Sequence, residues 1–346
     1  EQYESTKLGL IPYEENHLNA QQVTFKGIDA NFEDERKGRI AFEEVTFAYP
    51  QRPAYRILNY FTMNIPPRTT LGLIGDRSSG KSTLLKLLLR WYQPSGGTIN
   101  IDGVSIKDYN HSYTAQVGFI GSESTIFTGT VKHNITYGCL DSDGNNKVSD
   151  TDMITAARLA DAHRFINKLP QGYDTVIGEG AVQLSPSQMQ RITVARMFAR
   201  SPPVIVLDDA SSPAVLGEDG ATRVRLTIRR LLHYPVKRTA IVASQHHKDL
   251  EYLDTIATIE GGMLTEYGPQ SEMANNPTTT YNRLLQREGV YKKPESIISG
   301  TSTPNLNSPS AAGSEAGAQQ NEFKHPYAVG KHNKVHPNSM SRQNFV

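Results

Sequence analysis

The segment Gly75-Asp76-Arg77-Ser78-Ser79-Gly80-Lys81-Ser82-Thr83 contains residues whose types and spacing suit phosphate chemistry. It reads G-x-x-x-x-G-K-S and lies between a short apolar run and a leucine-rich run. In a strand–loop–helix unit, the N–H groups of the loop and of the helix N-terminus point at one anion. Lys81 can then reach the outer phosphates, and the Ser82 hydroxyl can bind a bridging Mg²⁺. The alternative is an ordinary turn that contains Lys-Ser by chance.

A pair of carboxylates follows a second apolar run. Val204-Ile205-Val206-Leu207 is typical of a buried parallel strand, and Asp208 and Asp209 come directly after it. We expect Asp208 to lie beside Ser82 and to bind Mg²⁺ directly or through water. Asp209 is placed to polarise an attacking water. Taken alone, the pair is also compatible with solvated loop charge, but its position after a phosphate loop favours the metal site.

Hydrophobic patterning predicts the elements that position these residues. Period-2 alternation from Arg39 predicts a strand with a bulge at Glu43-Glu44, and Asp102-Gly103 predicts a hairpin turn. Short apolar, β-branched runs predict parallel strands that are buried on both faces. The other predicted elements are strands at 116–120, 203–207 and 239–243, helices near 150–160, from 185 and near 281–285, and a hairpin at 261–262.

The composition restricts the class of protein. The chain has 346 residues with 36 Lys+Arg against 35 Asp+Glu, so overall charge gives no reason to expect a nucleic-acid partner. Cys139 is the only cysteine, which rules out an intrachain disulfide and favours a reducing compartment. No run of 18 apolar residues occurs, and the chain starts at Glu1, so we expect a piece of a longer protein. We predict a linker over 1–38 and a disordered tail over 289–346.

Several other motifs occur in the order typical of one protein family. Phe47-Ala48-Tyr49-Pro50-Gln51-Arg52-Pro53 precedes the phosphate loop, and Phe127-Thr128-Gly129-Thr130-Val131 follows it. Leu184-Ser185-Pro186-Ser187-Gln188 comes before the carboxylate strand. With the phosphate loop and Asp208, these segments make residues 39–288 resemble the nucleotide-binding domain of an ATP-binding-cassette (ABC) exporter of the P-glycoprotein-like multidrug type.

The resemblance implies a fold and a set of ligands. The fold is α/β, with a P-loop NTPase core of mostly parallel strands and flanking helices, an antiparallel β subdomain, and an α-helical subdomain at about residues 124–200. Tyr49 would stack on adenine, and Ser82 and Asp208 would bind Mg²⁺. The implied ATP contacts are Tyr49, Gly75, Asp76, Arg77, Ser78, Ser79, Gly80, Lys81, Ser82 and Thr83, with Ser185 directed at the ATP of a partner domain.

The chain departs from the family pattern at positions that act on the γ-phosphate. Ser122 takes the place of a glutamine that approaches the metal, and the shorter Asp209 takes the place of a glutamate. Gln245 takes the place of a histidine, while the neighbouring His246 faces the other side of an extended backbone unless the register shifts. Val215 replaces an aspartate. We predict that the altered catalytic positions Asp209, Gln245 and Ser122 leave a domain that binds MgATP and hydrolyses it poorly.

The signature segment of the family also differs here. Pro186 and Ser187 replace two glycines; Pro186 has no N–H to donate, and Ser187 is expected to crowd the approach that glycine allows. Ser185 and Gln188 nevertheless have the spacing of a capping box, which predicts an ordinary capped helix start.

The leading hypothesis is therefore the ATP-binding domain of a membrane exporter, at the cytosolic face of the membrane. Its implied partners are transmembrane domains and a second nucleotide-binding domain in a head-to-tail dimer. An alternative is an ABC-family pseudo-ATPase that binds ATP and regulates without transporting, although the exporter-like segments at Tyr49 and Thr128 argue against it. A P-loop kinase is the third hypothesis, and it has no use for the Ser185 segment.

Overall fold

The structure is a computed structural model that describes residues 38–109, 113–139, 147–234 and 236–290. Most of the predicted linker and tail, residues 1–37 and 291–346, lies outside this range, so both stay predictions. None of the helices in the described part is long and apolar enough to cross a membrane.

The described residues form twelve strands and eleven α-helices. The strands are β1 (Ile40–Ala48), β2 (Arg56–Ile65), β3 (Thr70–Ile74), β4 (Gly96–Ile101), β5 (Val104–Ser105), β6 (Val117–Ile120), β7 (Gly129–Thr130), β8 (Val176–Ile177), β9 (Val204–Asp208), β10 (Thr239–Ala243), β11 (Thr255–Glu260) and β12 (Met263–Pro269). The helices are α1 (Lys81–Leu88), α2 (Tyr113–Gln116), α3 (Val131–Thr136), α4 (Asp150–Leu159), α5 (His163–Ile166), α6 (Pro186–Arg200), α7 (Pro213–Leu216), α8 (Glu218–His233), α9 (His247–Leu250), α10 (Gln270–Asn275) and α11 (Thr280–Arg287).

The central sheet has six strands in the order β12-β11-β3-β10-β9-β6. All of its pairs are parallel except β11 with β12. A separate antiparallel sheet has the order β2-β1-β4-β5, and β7 pairs with β8. Because β3, β9 and β10 run in one direction, the segments that follow them all start at the same edge of the sheet.

Two hydrophobic cores cover opposite faces of the central sheet. Ile205 and Leu207 of β9 belong to one core, and the alternating Val204 and Val206 belong to the other. The first core includes α3, α4, α6 and α8, and the second includes α1 and the antiparallel sheet. A strand that is buried on both faces is apolar throughout, which explains why the carboxylate strand shows no alternation. The predicted α/β class, with antiparallel and helical parts, is confirmed.

Local sequence explains the element ends that were predicted. The bulge in β1 lies at Glu44, whose φ is 48°, and the register with β2 shifts between Phe42 and Val45. The turn between β4 and β5 has positive φ at Asp102 and Gly103, as a two-residue hairpin requires. Strand β2 is missing from the predicted elements, although Phe61–Ile65 alternates with period 2; Tyr60, with a φ of 50°, shifts this alternation relative to Leu58.

Candidate functional site

The phosphate loop joins β3 to α1 through backbone conformations that favour glycine. Gly75 has a φ of 148° and Gly80 a φ of 110°, and Ser78 adopts a left-handed φ of 64°. A Cβ at Gly75 would lie 2.3 Å from the carbonyl oxygen of Ile259 on β11, so no side chain fits there. The loop therefore passes close to the neighbouring strand and delivers the N-terminus of α1 to the edge of the sheet.

Lys81 lies across the mouth of this loop. Its Nζ donates hydrogen bonds to the carbonyl oxygens of Gly75, at 2.7 Å, and Asp76, at 2.8 Å. Burial lowers the pKa of Lys81, and the opposing charges of Asp209 and Asp208 partly restore it. The ammonium is thus held by neutral carbonyl groups. A phosphate anion is a stronger hydrogen-bond acceptor than a carbonyl group and could replace these carbonyls as the partner of Lys81.

The carboxylates after β9 lie next to the start of α1. Parallel pairing aligns Ala243 of β10 with both Asp208 of β9 and Leu73 of β3, so the phosphate loop and the carboxylates follow neighbouring strand ends. The Ser82 Oγ lies 3.4 Å from the Asp208 Oδ1. Burial raises the pKa of Asp208, although the Ser82 hydrogen bond acts against that shift. The two side chains form a pair of hard oxygen ligands of the kind that Mg²⁺ prefers.

Asp209 adopts an unusual backbone conformation. Its φ is 49°, in the left-handed region that is costly for most residues with a side chain, and its N–H donates to the Ala243 carbonyl at 3.0 Å. Burial raises the pKa of the Asp209 carboxyl, and the nearby Asp208 raises it further, whereas His246 lowers it. Burial of the charge therefore disfavours the ionised carboxylate in the folded state, whereas the left-handed backbone is one that aspartate tolerates better than most side chains do.

We expect Asp209→Asn to increase stability at neutral pH. Asparagine tolerates the left-handed region and carries no charge to bury. Because the folded-state pKa of Asp209 is raised, the ionised carboxylate destabilises the protein fully above that pKa, and the effect disappears below the unfolded-state pKa. Thermal unfolding should show a Tm that is higher at pH 7 by less than about 2–4 °C, the shift that roughly 1 kcal/mol would produce, because solvent screens part of this partly exposed charge. The gain should shrink as the pH falls from the raised folded-state pKa toward the ordinary pKa of aspartate, and a gain that grows in this range would contradict this explanation.

Tyr49 is held in place by hydrogen bonding and by aromatic contacts. Its hydroxyl lies 3.0 Å from the Thr83 Oγ1 on α1, which fixes the ring beside the phosphate loop. The ring packs edge-to-face on Phe47, with centroids 5.0 Å apart, and on Tyr92, at 5.1 Å. These contacts orient an aromatic surface at the entrance of the cavity.

One cavity of about 350 Å³ brings most of the predicted site residues together. The other predicted loop residues, Gly75 and Asp76, line an adjoining groove together with Arg77 and Gln245. Gln245, and not His246, lines the cavity, so the structure shows no register shift at this position. The lining residues are Tyr49, Ile57, Arg77, Ser78, Ser79, Gly80, Lys81, Ser82, Thr83, Asp208, Asp209, Ala243, Ser244 and Gln245.

Two predicted site residues lie apart from this cavity. Ser122 is in the loop after β6, and Ser185 caps α6 with its exposed side chain. The Ser122 loop is anchored instead by Gln190 of α6, which is fully buried. The Gln190 Nε2 donates to the carbonyls of Gly121, at 2.8 Å, and Ala210, at 2.7 Å. This side chain thus joins the Ser122 loop to the segment that carries Asp209.

The signature segment begins α6, and its Ser187 side chain packs inside the domain. The capping box of Ser185 and Gln188 is present, as predicted. The Ser187 side chain, however, packs against α8, where its Cβ lies 3.1 Å from the position that a Cβ on Gly220 would occupy. Because Gly220 leaves space for it, Ser187 turns toward α8 and its Oγ is buried. Whether Ser187 also crowds the approach of a partner's phosphate stays a prediction, as does the effect of the missing N–H of Pro186.

Sequence reasoning missed several residues of the site. Ile57 lines the cavity from β2, and no sequence signal pointed to it. Ser244 also lines the cavity, and its position next to Gln245 was an available signal. The anchoring role of Gln190 depends on contacts with residues 69 and 20 positions away, which local spacing does not reveal.

Comparison with known proteins identifies the family. Residues 58–212 match the family model described as ABC transporter. ABC transporter B family member 21 of Arabidopsis thaliana is 34% identical over 263 residues, which are 76% of this chain and 19% of that protein. ABC transporter B family member 2 of Dictyostelium discoideum is 34% identical over 278 residues, 80% of this chain and 19% of that protein. This chain contains an ABC transporter ATP-binding domain.

A solved structure agrees with this assignment. A bacterial Atm1-family ABC exporter with ATP bound matches the ATP-binding domain with a TM-score of 0.64 and 28% identity, over 74% of this chain and 43% of that chain. The chain spans about a fifth of the length of the two curated relatives above. The predicted family resemblance is confirmed, and the consequences of the altered motifs stay predictions.

Proposed function

We propose that this ATP-binding domain holds MgATP in the cavity beside Tyr49 and hydrolyses it weakly on its own. The observation that supports the proposal is that one cavity contains both the residues suited to bind MgATP and the altered residues at the catalytic positions. Lys81, Ser82 and Asp208 supply the cation and the oxygen ligands that bind a metal–triphosphate. Asp209 and Gln245 line the same cavity with side chains that differ from the family pattern at the positions that act on water.

The residues present fit MgATP. Within the described residues, no group of three or more His, Cys, Asp and Glu side chains could hold a metal by itself. Ser82 and Asp208 would therefore share Mg²⁺ with phosphate oxygens, which is typical of phosphoryl-transfer sites. When bound, Mg²⁺ neutralises part of the phosphate charge. The Lys81 ammonium, now bonded to loop carbonyls, would donate to the outer phosphates.

The weak hydrolysis follows from side-chain length and chemistry. Asp209 is shorter than glutamate by one C–C bond, roughly 1.5 Å. A misplacement of about 1 Å at a reacting centre can lower a rate on the order of 100-fold. Gln245 has no group that titrates, so it cannot exchange a proton as histidine does. Ser122 lies outside the cavity, where a short side chain cannot approach the metal.

We further propose that the domain belongs to an exporter-type transporter and lies on the cytosolic face of a membrane. The B family relatives and the bacterial exporter support this placement. In this arrangement a second nucleotide-binding domain pairs head-to-tail with this one, and Ser185 faces the ATP of that partner domain. ATP would bind more tightly when the two nucleotide-binding domains are closed on each other. This difference in affinity would shift the attached transmembrane domains from one conformation to another.

Tyr49 variants test the nucleotide site. We expect Tyr49→Ala to weaken MgATP binding about 5- to 150-fold, the loss that corresponds to roughly 1–3 kcal/mol of base stacking. Tyr49→Phe keeps the ring and loses only the hydroxyl contact with Thr83, so its affinity should fall less than about 10-fold. Equilibrium binding of a fluorescent ATP analogue, with unlabelled ATP as competitor, measures both.

Tyr55→Ala is the matched control for this experiment. Tyr55 belongs to the same loop, is 68% exposed and does not line the cavity. Its removal should leave MgATP affinity unchanged. Equal affinities for Tyr49→Ala and Tyr55→Ala would contradict the proposed site.

A further inference from the structure

A buried carboxylate lies behind the proposed nucleotide cavity and contacts its lining through the Ser244 hydroxyl. Asp249, on α9, is 3% exposed. Its Oδ1 accepts hydrogen bonds from the Ser211 Oγ and from the Arg225 Nε, the latter at 2.7 Å. Its Oδ2 accepts from the Ser244 Oγ at 2.7 Å. A buried charge is costly unless it is paired and hydrogen-bonded, and here one cation and two hydroxyls satisfy both oxygens.

The two serines belong to the two segments whose family motifs are altered. Ser211 lies two residues after Asp209, and Ser244 lies one residue before Gln245. The Ser244 Oγ also accepts the His246 N–H at 3.1 Å, so it fixes the backbone on both sides of Gln245. The Asp209 N–H in turn donates to the Ala243 carbonyl. Both segments are thus connected to one carboxylate and to each other.

We propose that Asp249 is a positioning residue that fixes the Asp209 segment and the Gln245 segment relative to each other through Ser211 and Ser244. The unfavourable left-handed backbone of Asp209 needs such support, because the segment would otherwise relax to a commoner conformation. Arg225 pairs with the Asp249 carboxylate through its Nε, at 2.7 Å, and ties it to α8. The catalytic significance of Asp249 rests on the proposed nucleotide site, whereas its structural effect does not.

Hydrogen exchange tests the proposal with the full chain. We expect Asp249→Asn to speed amide exchange about 10-fold or more in the peptides that cover 209–212 and 244–248. Ser211→Ala should speed exchange only in the first peptide, and Ser244→Ala only in the second. These serine variants remove a single hydroxyl each, so they keep the test decisive if Asp249→Asn folds poorly.

Asp254→Asn is the matched control. The Asp254 carboxylate also bonds one cation and two other donors, namely Lys237 and the N–H and hydroxyl of Thr70. It lies at the opposite end of β3 from the phosphate loop, because Thr70 begins that strand. Asp254→Asn should lower the Tm without increasing the rate of amide exchange in either peptide. Exchange that rises uniformly in Asp249→Asn, or stays unchanged in both peptides, would overturn the proposal.

A second readout separates positioning from general destabilisation. MgATP affinity should change less than about threefold in Asp249→Asn, because Lys81 and Tyr49 are attached to other elements. In the same variant, the single-turnover rate, measured with enzyme in excess over γ-labelled ATP, should fall by a factor of about 10 to 100. An equal loss in affinity and rate would overturn the positioning role. If the unaltered chain binds no MgATP, the proposed function fails, and the exchange result still decides what Asp249 does.

Discussion

Replacing Lys81 by alanine is expected to weaken MgATP binding roughly 10- to 150-fold, the equivalent of about 1.5–3 kcal/mol for a hydrogen bond to a charged group. The Lys81 Nζ is the cation at the mouth of the phosphate loop, and its present partners are the neutral carbonyls of Gly75 and Asp76. A triphosphate offers it a charged acceptor in a half-buried position where water screens the interaction less. Isothermal titration with MgATP measures the loss directly.

Two further variants sharpen this measurement. Lys132→Ala is the control for the loss of a positive charge, since Lys132 pairs with Asp150 on the surface and lies outside the cavity. Its MgATP affinity should equal that of the unaltered chain. Lys81→Arg retains the charge in a planar group that does not match a site shaped for an ammonium, so it should recover little affinity. Full affinity in Lys81→Ala would contradict the assignment of this cavity.

Restoring the family residues at two positions should raise ATP turnover. We expect Asp209→Glu combined with Gln245→His to increase the rate between about 10- and 100-fold, because the longer carboxylate closes a gap of roughly 1.5 Å and the imidazole can transfer a proton. Both positions line the same cavity, so the two new side chains can act on one water. Phosphate release under saturating MgATP measures the rate.

The backbone at Asp209 sets a condition on this experiment. Its φ of 49° suits aspartate and asparagine better than glutamate, so Asp209→Glu should cost about 1 kcal/mol of stability. Turnover should therefore be compared at a temperature well below the Tm of each variant. Asp209→Asn with Gln245→His is the control that lacks the carboxylate, and it should show no gain.

The outcome also tells which altered positions limit hydrolysis. A rise in turnover would show that positions 209 and 245 are limiting. No rise would point to Ser122 or to the signature segment at Pro186, and adding Ser122→Gln distinguishes these two. Fast turnover by the unaltered chain that Asp209→Ala leaves unchanged would contradict the prediction of weak hydrolysis.

Local sequence was sufficient wherever a short segment determines its own backbone. The capping box at Ser185 and Gln188 and the hairpin at Asp102-Gly103 were readable, because their hydrogen bonds and dihedral angles depend on neighbours in the chain. Strand β2 was not predicted, although Phe61–Ile65 alternates with period 2, and the left-handed Tyr60 shifts that pattern relative to Leu58. Because β2 was not predicted, the contact of its Ile57 with the cavity was not predicted either.

The position of the Ser187 side chain depends on an element outside its own motif. Its residue type alone predicts crowding at the place where the family has glycine, and that prediction stays open. The structure adds that its Cβ packs against α8, where Gly220 leaves room for it. Steric effects of a substitution depend on the facing element, and the spacing within a motif carries no information about that element.

The sequence by itself determined the phosphate loop and the α/β class, and it predicted that Asp208 lies beside Ser82, because these follow from glycine conformations, strand ends and hydrophobic periods that are local in the chain. Only the tertiary structure decided that Asp209 is left-handed and that Asp249 and Gln190 anchor the segments around it. Asp249 meets partners that lie 38 and 24 residues away. Contacts of that kind arise when parallel strands bring distant chain segments to one sheet edge, and no short-range pattern records them.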